Sequence, residues 1–128
     1  MNATQSSSLS PTVLARIAAV LGLLAVALGA MGAHALKDVL ASTTNGLDQW
    51  KTAAHYHLVH AVVLYFLADK GRNAAWWLMF AGILGFSGSL YLYAVTHVKF
   101  LVAITPFGGV LLMIGWGLLA FCGGRKKA

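Results

Sequence analysis

Glutamate is absent from this 128-residue chain, aspartate occurs three times, and charged residues make up only 9% of it. Soluble domains carry roughly 25% charged residues, so too little charge is present to coat a water-facing globule. The shortage of carboxylates also removes the paired acids on which hydrolases of the glycosidase type depend. A single cysteine, Cys122, permits no internal disulfide, no CxxC redox pair and no thiolate metal site. It fits a small apolar packing position near a helix end.

What fills the chain is hydrophobic residues at 59%, with fourteen glycines and a mean hydropathy of +0.78. The net charge of +6 would suggest nucleic acid if the cations clustered on a soluble face among aromatics. Instead Arg16, Lys37, Lys51, Lys70, Arg72, Lys99 and the tail Arg125, Lys126 and Lys127 stand at the ends of apolar runs. Cations so placed set membrane topology, and no nucleic-acid partner is expected.

Residues 1–12, rich in Ser and Thr, show no hydrophobic periodicity and read as a disordered polar tail. Residues 13–35 carry one charge, Arg16, and are long enough for the ~20 residues that cross a bilayer core. Ala33-His34-Ala35 has the small-x-small form of a signal-peptidase site, but the apolar run is longer than a signal core. Its Gly22, Ala25, Gly29 and Ala33 also form a stripe suited to helix packing, so a retained helix is preferred. Asp38, Ser42, Thr43, Thr44, Asn45, Gly46 and Asp48 mark residues 37–51 as a connector with room for a short interfacial helix, ending at Trp50 as an interface anchor. Residues 52–68 form a short second span.

Asp69-Lys70-Gly71-Arg72-Asn73 reads as a tight turn, Trp76-Trp77 as an aromatic belt, and residues 75–96 as a third span with Ala81, Gly85 and Ser89 four apart. In the fourth span, residues 100–122, Thr105-Pro106 resembles an N-cap with proline at the first helical position, making residues 100–104 a lead-in. A kink within one longer helix is the alternative. Gly108, Gly109, Gly115 and Gly117 favour close packing. Residues 123–128 form a basic tail. The expected fold is all-α: a polytopic membrane protein with four transmembrane helices in a compact bundle, one domain over residues 13–122.

Four spans place both termini on one side. Arg16, Lys70, Arg72, Arg125, Lys126 and Lys127 then face Lys37, Lys51 and Lys99 across the membrane, six cations against three. The positive-inside rule assigns both termini to the cytoplasm.

Gly29-Ala30-Met31-Gly32-Ala33-His34-Ala35-Leu36-Lys37, then Trp50-Lys51-Thr52-Ala53 with Tyr56-His57 and His60-Ala61, resemble the YgdD/YwdK-like family of small membrane proteins. Phe86-Ser87-Gly88-Ser89-Leu90-Tyr91, Ile104-Thr105-Pro106-Phe107-Gly108-Gly109 and Gly115-Trp116 continue the resemblance in order, so that it covers nearly all of residues 13–122. That family is of unknown function, with bacterial inner-membrane members and mitochondrial relatives. The resemblance implies a four-helix protein of the bacterial inner membrane and no established activity. His34, His57 and His60 fall on the family pattern; His55 and His97 do not.

With both termini inside, the unusual polar residues converge at the outer face. His34 ends the first helix, His57 and His60 lie in the second, Tyr91, Tyr93 and His97 lie toward the end of the third, and Thr105-Pro106 opens the fourth. At 100° per residue His57 and His60 are 60° apart, whereas His55 is 140° from His60 and points elsewhere. His60 lies about 12 Å below Thr52, where an unpartnered imidazole is costly.

These residues support two readings. In one, His34, His57 and His60, with Tyr91 or Ser89, form a hydrogen-bond network that locks helix packing, and the chain is an accessory or interaction protein meeting the lipid bilayer and a membrane-protein partner or a second copy of itself. In the other, His34, His57, His60 and Tyr91 bind a quinone, a lipid headgroup, a proton or a metal. HExxH, CxxC and a carboxylate in the second span are all missing, and haem between two histidines would have only His34 with His57. No metal and no cofactor are therefore expected. Ser87-Gly88-Ser89 lacks the strand-turn-helix setting of a nucleophile, Cys122 lies at the other face, and no catalytic residue or enzyme activity is expected.

Overall fold

The structure, a computed structural model, describes residues 9–122. The basic tail at 123–128 and most of the polar N-terminal tail lie outside the described residues. Helix α1 (Pro11–Ala33) begins two residues earlier than expected, because Ser10 supplies a cap and Pro11 the preset first turn. The Ser10 Oγ accepts from the Val13 N–H at 3.3 Å. The connector holds a short helix, α2 (Lys37–Ala41). Helix α3 (Gly46–Leu67) starts six residues before the expected Thr52. Asn45 takes a left-handed conformation at φ 62°, and Gly46 sits so close to the Leu40 carbonyl and the Thr43 hydroxyl that a side chain there would overlap both. The chain therefore reverses at Asn45-Gly46 and enters the helix at once.

One continuous helical rod follows, made of α4 (Asn73–Ile83), a π-helical turn at Leu84–Gly88 and α5 (Ser89–Thr96). It stops at His97, whose left-handed backbone at φ 57° returns its N–H to the Tyr93 carbonyl at 2.9 Å. Helix α6 spans Phe100–Phe121 with Pro106 inside it. The lead-in expected for residues 100–104 is thus corrected to the kink-tolerant alternative, a single helix. Proline at 106 leaves the Val102 carbonyl without its helical donor near the helix end, while the Thr105 Oγ1 bonds the Leu101 carbonyl at 3.2 Å.

Helix α3 is the hub of the bundle. It packs against α1 along its length, against both halves of the α4–α5 rod and against α2, whereas α6 packs on the rod from the far side. The buried positions on α3 are Gly46, Trp50, Ala53, His57, His60, Leu64 and Leu67, with Ala61 beside them, an alternation of four and three residues that gives one narrow seam. On α1, Leu14, Ala18, Ala25 and Gly32 repeat in the same way. Gly22 faces Ala61 and Gly29 faces Ala54, which places the two helices antiparallel and close. At the end holding the chain termini, Leu14, Leu64, Trp76, Met79 and Leu112 form the main core; at the other end Leu40, Trp50 and Ala94 form a smaller one.

Two tryptophans differ from the interfacial reading. Trp50 is 5% exposed and Trp76 fully buried, both because the indole N–H finds a carbonyl inside the bundle. Trp77, next to Trp76, keeps the exposed place. Three helical runs, Pro11–Ala33, Asn73–Thr96 and Phe100–Phe121, are long and apolar enough to cross a membrane. Helix α3 matches them in length, with 22 residues, but its histidines and other polar residues lower its hydropathy.

Candidate functional site

The polar residues of α3 are distributed along its buried seam, and each reaches a different neighbouring helix. At the α2 end, the Trp50 Nε1 donates to the Leu28 carbonyl of α1 at 2.7 Å. One turn on, the Ala53 carbonyl accepts from the Ser87 Oγ of the π-helical turn at 2.8 Å. His57 Nδ1 lies 3.0 Å from the Tyr91 hydroxyl of α5. His60 meets Trp116 of α6, and finally the Leu64 carbonyl accepts from the Trp76 Nε1 of α4 at 3.1 Å.

His60 has both ring nitrogens engaged. The Trp116 Nε1–H donates to His60 Nε2 at 3.0 Å; indole nitrogen cannot accept, so Nε2 must be unprotonated. The proton then belongs on Nδ1, which lies 2.7 Å from the Tyr56 carbonyl of the preceding turn and donates to it. His60 is thereby a neutral imidazole of defined tautomer, 4% exposed, with no coordination site to offer.

His57 is different. Its ring is 5% exposed and meets the Tyr91 ring edge-on at 5.9 Å, while Tyr91 packs against Trp50 at 4.8 Å. Its Nε2 is buried and has no hydrogen-bond partner; the Leu21 backbone of α1 comes near the ring without completing a bond to that atom. Of the four residues singled out by sequence, then, His57 and Tyr91 touch, His60 lies one turn along the same face and belongs to a separate interaction, and His34 stands apart. His34 caps α1 and is exposed. With Gly29 opposite Ala54, His34 sits opposite residue 49, about 12 Å along the axis from His57. The two histidines considered for haem are not brought face to face, and among the described residues no three His, Cys, Asp or Glu side chains converge as a metal set.

His55 is exposed, in keeping with its lying off the helical face of His57 and His60, and His97 serves as a backbone cap. Sequence reasoning missed Trp116, Trp50 and Ser87 as members of the polar seam. Tryptophan in a membrane helix reads as a belt residue, and nothing in local spacing announces an acceptor 22 or 56 positions away. A second small cluster joins the rod to α6: the Ser89 and Thr105 hydroxyls lie 2.6 Å apart, and Ser89 also donates toward the Phe86 carbonyl at 3.0 Å.

The sequence profile of a family described as "Protein of unknown function (DUF423)" matches residues 28–109. The UPF0382 membrane protein YwdK of Bacillus subtilis is 47% identical over 108 residues, covering 78% of this chain and 86% of the relative. UPF0382 membrane proteins of Staphylococcus aureus and Staphylococcus epidermidis are 41% and 43% identical over 103 residues, each covering 76% of this chain and 83% of the relative. No solved structure matches. The matched region takes in His34, His57, His60 and Tyr91, all of α2 and α3, and the opening of α6, and by these likenesses the chain belongs to the DUF423 family of membrane proteins of unknown function.

Proposed function

We propose that the chain is a four-span protein of the bacterial inner membrane, with both termini cytoplasmic, that acts as an accessory or interaction protein. The observation that carries this reading is the polar seam of α3. Its tryptophan, serine and histidine groups are bonded to other helices of the same chain, so that they hold the bundle together and leave apolar surface outward. The same seam supports α3 as the fourth span. Its polar residues are either buried in the seam or gathered at the α2 end, and from Leu58 onward its outward face is Leu58, Val59, Val62, Tyr65 and Phe66. At about 33 Å it is long enough for a ~30 Å hydrocarbon core.

A second reading has one specific observation in its favour: the unpartnered Nε2 of His57. A buried ring nitrogen without a partner costs about 1–3 kcal/mol, and a quinone carbonyl, a water or a headgroup oxygen would relieve that cost. Tyr91, bonded to Nδ1, would then hold the imidazole with Nε2 aimed at the ligand. The packing reading is preferred because Trp50, Ser87, His60 and Trp76 all bond between helices of the chain, whereas the ligand reading has the one free ring nitrogen.

Native mass spectrometry of the full chain in mild detergent, with an optical spectrum and a metal scan of the same sample, separates the two. A stoichiometric protein partner or a defined oligomer, carrying no quinone, haem or metal, is the expected result. A small molecule that co-purifies with the chain and is lost in His57→Gln would replace this reading with the ligand-binding one.

A further inference from the structure

Because α6 packs on the α4–α5 rod and not directly on α3, the two helices are joined across a gap by the Trp116–His60 bond. Beyond that bond the gap opens into a groove of about 840 Å³. Its walls are Val62 and Phe66 from α3 and Trp116 and Leu119 from α6, and its end is closed by the turn bearing Lys70 and Arg72. Among the described residues no carboxylate lines it, and Asp69, the neighbour of Lys70, lines the adjoining groove instead. The Lys70 ammonium lies 5.1 Å from the centre of the Phe66 ring, at the junction of the apolar wall and the charged rim.

At this end of the bundle α1 begins and α6 finishes: Pro11 shares a second groove with Lys70, and Cys122 a third with Arg72. Arg125, Lys126 and Lys127 follow within five residues of Cys122 in the sequence. Arg72 also precedes α4 without a side-chain cap, so first-turn N–H groups add to the positive potential at the same level. From Val62 to the end of α3 at Leu67 the wall extends about 7.5 Å along the helix axis, enough to hold part of an acyl chain.

We propose that this groove binds an anionic phospholipid from the leaflet on the side of the chain termini, with its phosphate at Lys70 and Arg72 and an acyl chain along Val62, Phe66, Trp116 and Leu119. Charge complementarity selects that occupant. A zwitterionic lipid would have its ammonium near two cations, and a second copy of this chain would bring Lys70 and Arg72 toward a surface that is itself basic at this end. Basic pockets between membrane helices are a known setting for anionic headgroups.

The test is native mass spectrometry of the full-length chain equilibrated with equal amounts of phosphatidylglycerol and phosphatidylcholine of identical acyl chains. Phosphatidylglycerol should be retained preferentially, and the Lys70→Gln/Arg72→Gln pair should weaken that retention by about ten-fold or more. Leu119→Trp, which fills the groove and keeps both cations, should lower it as well. Lys37→Gln/Lys51→Gln, a charge-matched pair at the opposite end, should leave it unchanged. Equal retention of the two lipids overturns the proposal, as does indifference to the Lys70/Arg72 pair. A Leu119→Trp chain that keeps its lipid reduces the effect to surface charge and overturns the site, and a chain dimer in place of the lipid assigns the face to a second copy. Should the double variant fail to fold, Lys70→Gln alone carries the same expectation with a smaller loss.

Discussion

Trp116 and His60 show how one side-chain pair can fix both a protonation state and a helix position. Removing the indole donor by Trp116→Phe leaves the His60 Nε2 a buried acceptor with nothing to accept, at a cost of about 1 kcal/mol, the scale of interhelical hydrogen bonds in membranes. A double-mutant cycle with His60→Ala should return a coupling of about 0.5–1.5 kcal/mol; effects that add to within about 0.3 kcal/mol would rule the bond out as a contributor. Ring nitrogen-15 spectra should show His60 as the Nδ1–H tautomer in the parent chain, and a loss of that tautomer preference in Trp116→Phe. Tyr91→Phe removes the hydroxyl from His57 Nδ1 and should destabilise the chain by a similar ~1 kcal/mol on unfolding in detergent. That the two histidines share a face was legible from their three-residue spacing. Their different partners were not, because hydrogen bonds between helices depend on rotation and offset, which sequence spacing within one helix does not contain.

Between elements, the small residues decide which helices can touch. Gly108 of α6 lies against the backbone of Gly85 and Phe86, so closely that a methyl group would overlap main-chain atoms that cannot move aside. Gly117, on the same helix, has nothing within 4 Å. Gly108→Ala should therefore separate α6 from the rod and lower the unfolding temperature or abolish assembly, a loss of more than about 2 kcal/mol by the scale of overpacked cores. Gly117→Ala should be neutral or slightly stabilising, since alanine is the better helix former by up to about 1 kcal/mol. Thermal unfolding of the two variants side by side checks this, and equal losses would mean that glycine content rather than this close approach matters. The small-residue pattern of residues 81–89 and 108–117 announced close packing correctly at Gly85, Gly108 and Gly115, whereas Ala81 is exposed and Gly117 meets nothing. The π-helical turn at Leu84–Gly88 sets which side chains the rest of the rod presents. One wider turn shifts the helical phase of everything after it, bringing Ser87 to Ala53, Ser89 to Thr105 and Tyr91 to His57. A change of phase of this kind has no compositional signature.

At the scale of the whole molecule, the question is whether α3 crosses the bilayer with the three more apolar helices. Its seam against α1 runs from Gly32 beside Trp50 to Leu14 beside the Leu64 and Leu67 core, nearly the full length of both helices. If α1 spans, α3 cannot lie outside the membrane without opening that seam and breaking the bond from the Trp50 indole to the Leu28 carbonyl of α1. Composition alone ranks α3 below a spanning helix because it averages over all sides, whereas the bilayer meets only the outward one; burial explains why the polar side is tolerated. Labelling of single cysteines distinguishes the arrangements. In intact cells a membrane-impermeant maleimide should leave Cys122 unmodified and react with Ser42→Cys, placed in the connector between α2 and α3 on a Cys122→Ser background. In inside-out vesicles Cys122 should react, as should Asn2→Cys on the same background, while Ser42→Cys should not. A three-span arrangement predicts instead that Asn2→Cys and Cys122 label from opposite sides. Agreement of the two terminal positions with one another, and their opposition to position 42, would make α3 the fourth crossing and its polar seam the interior of the bundle.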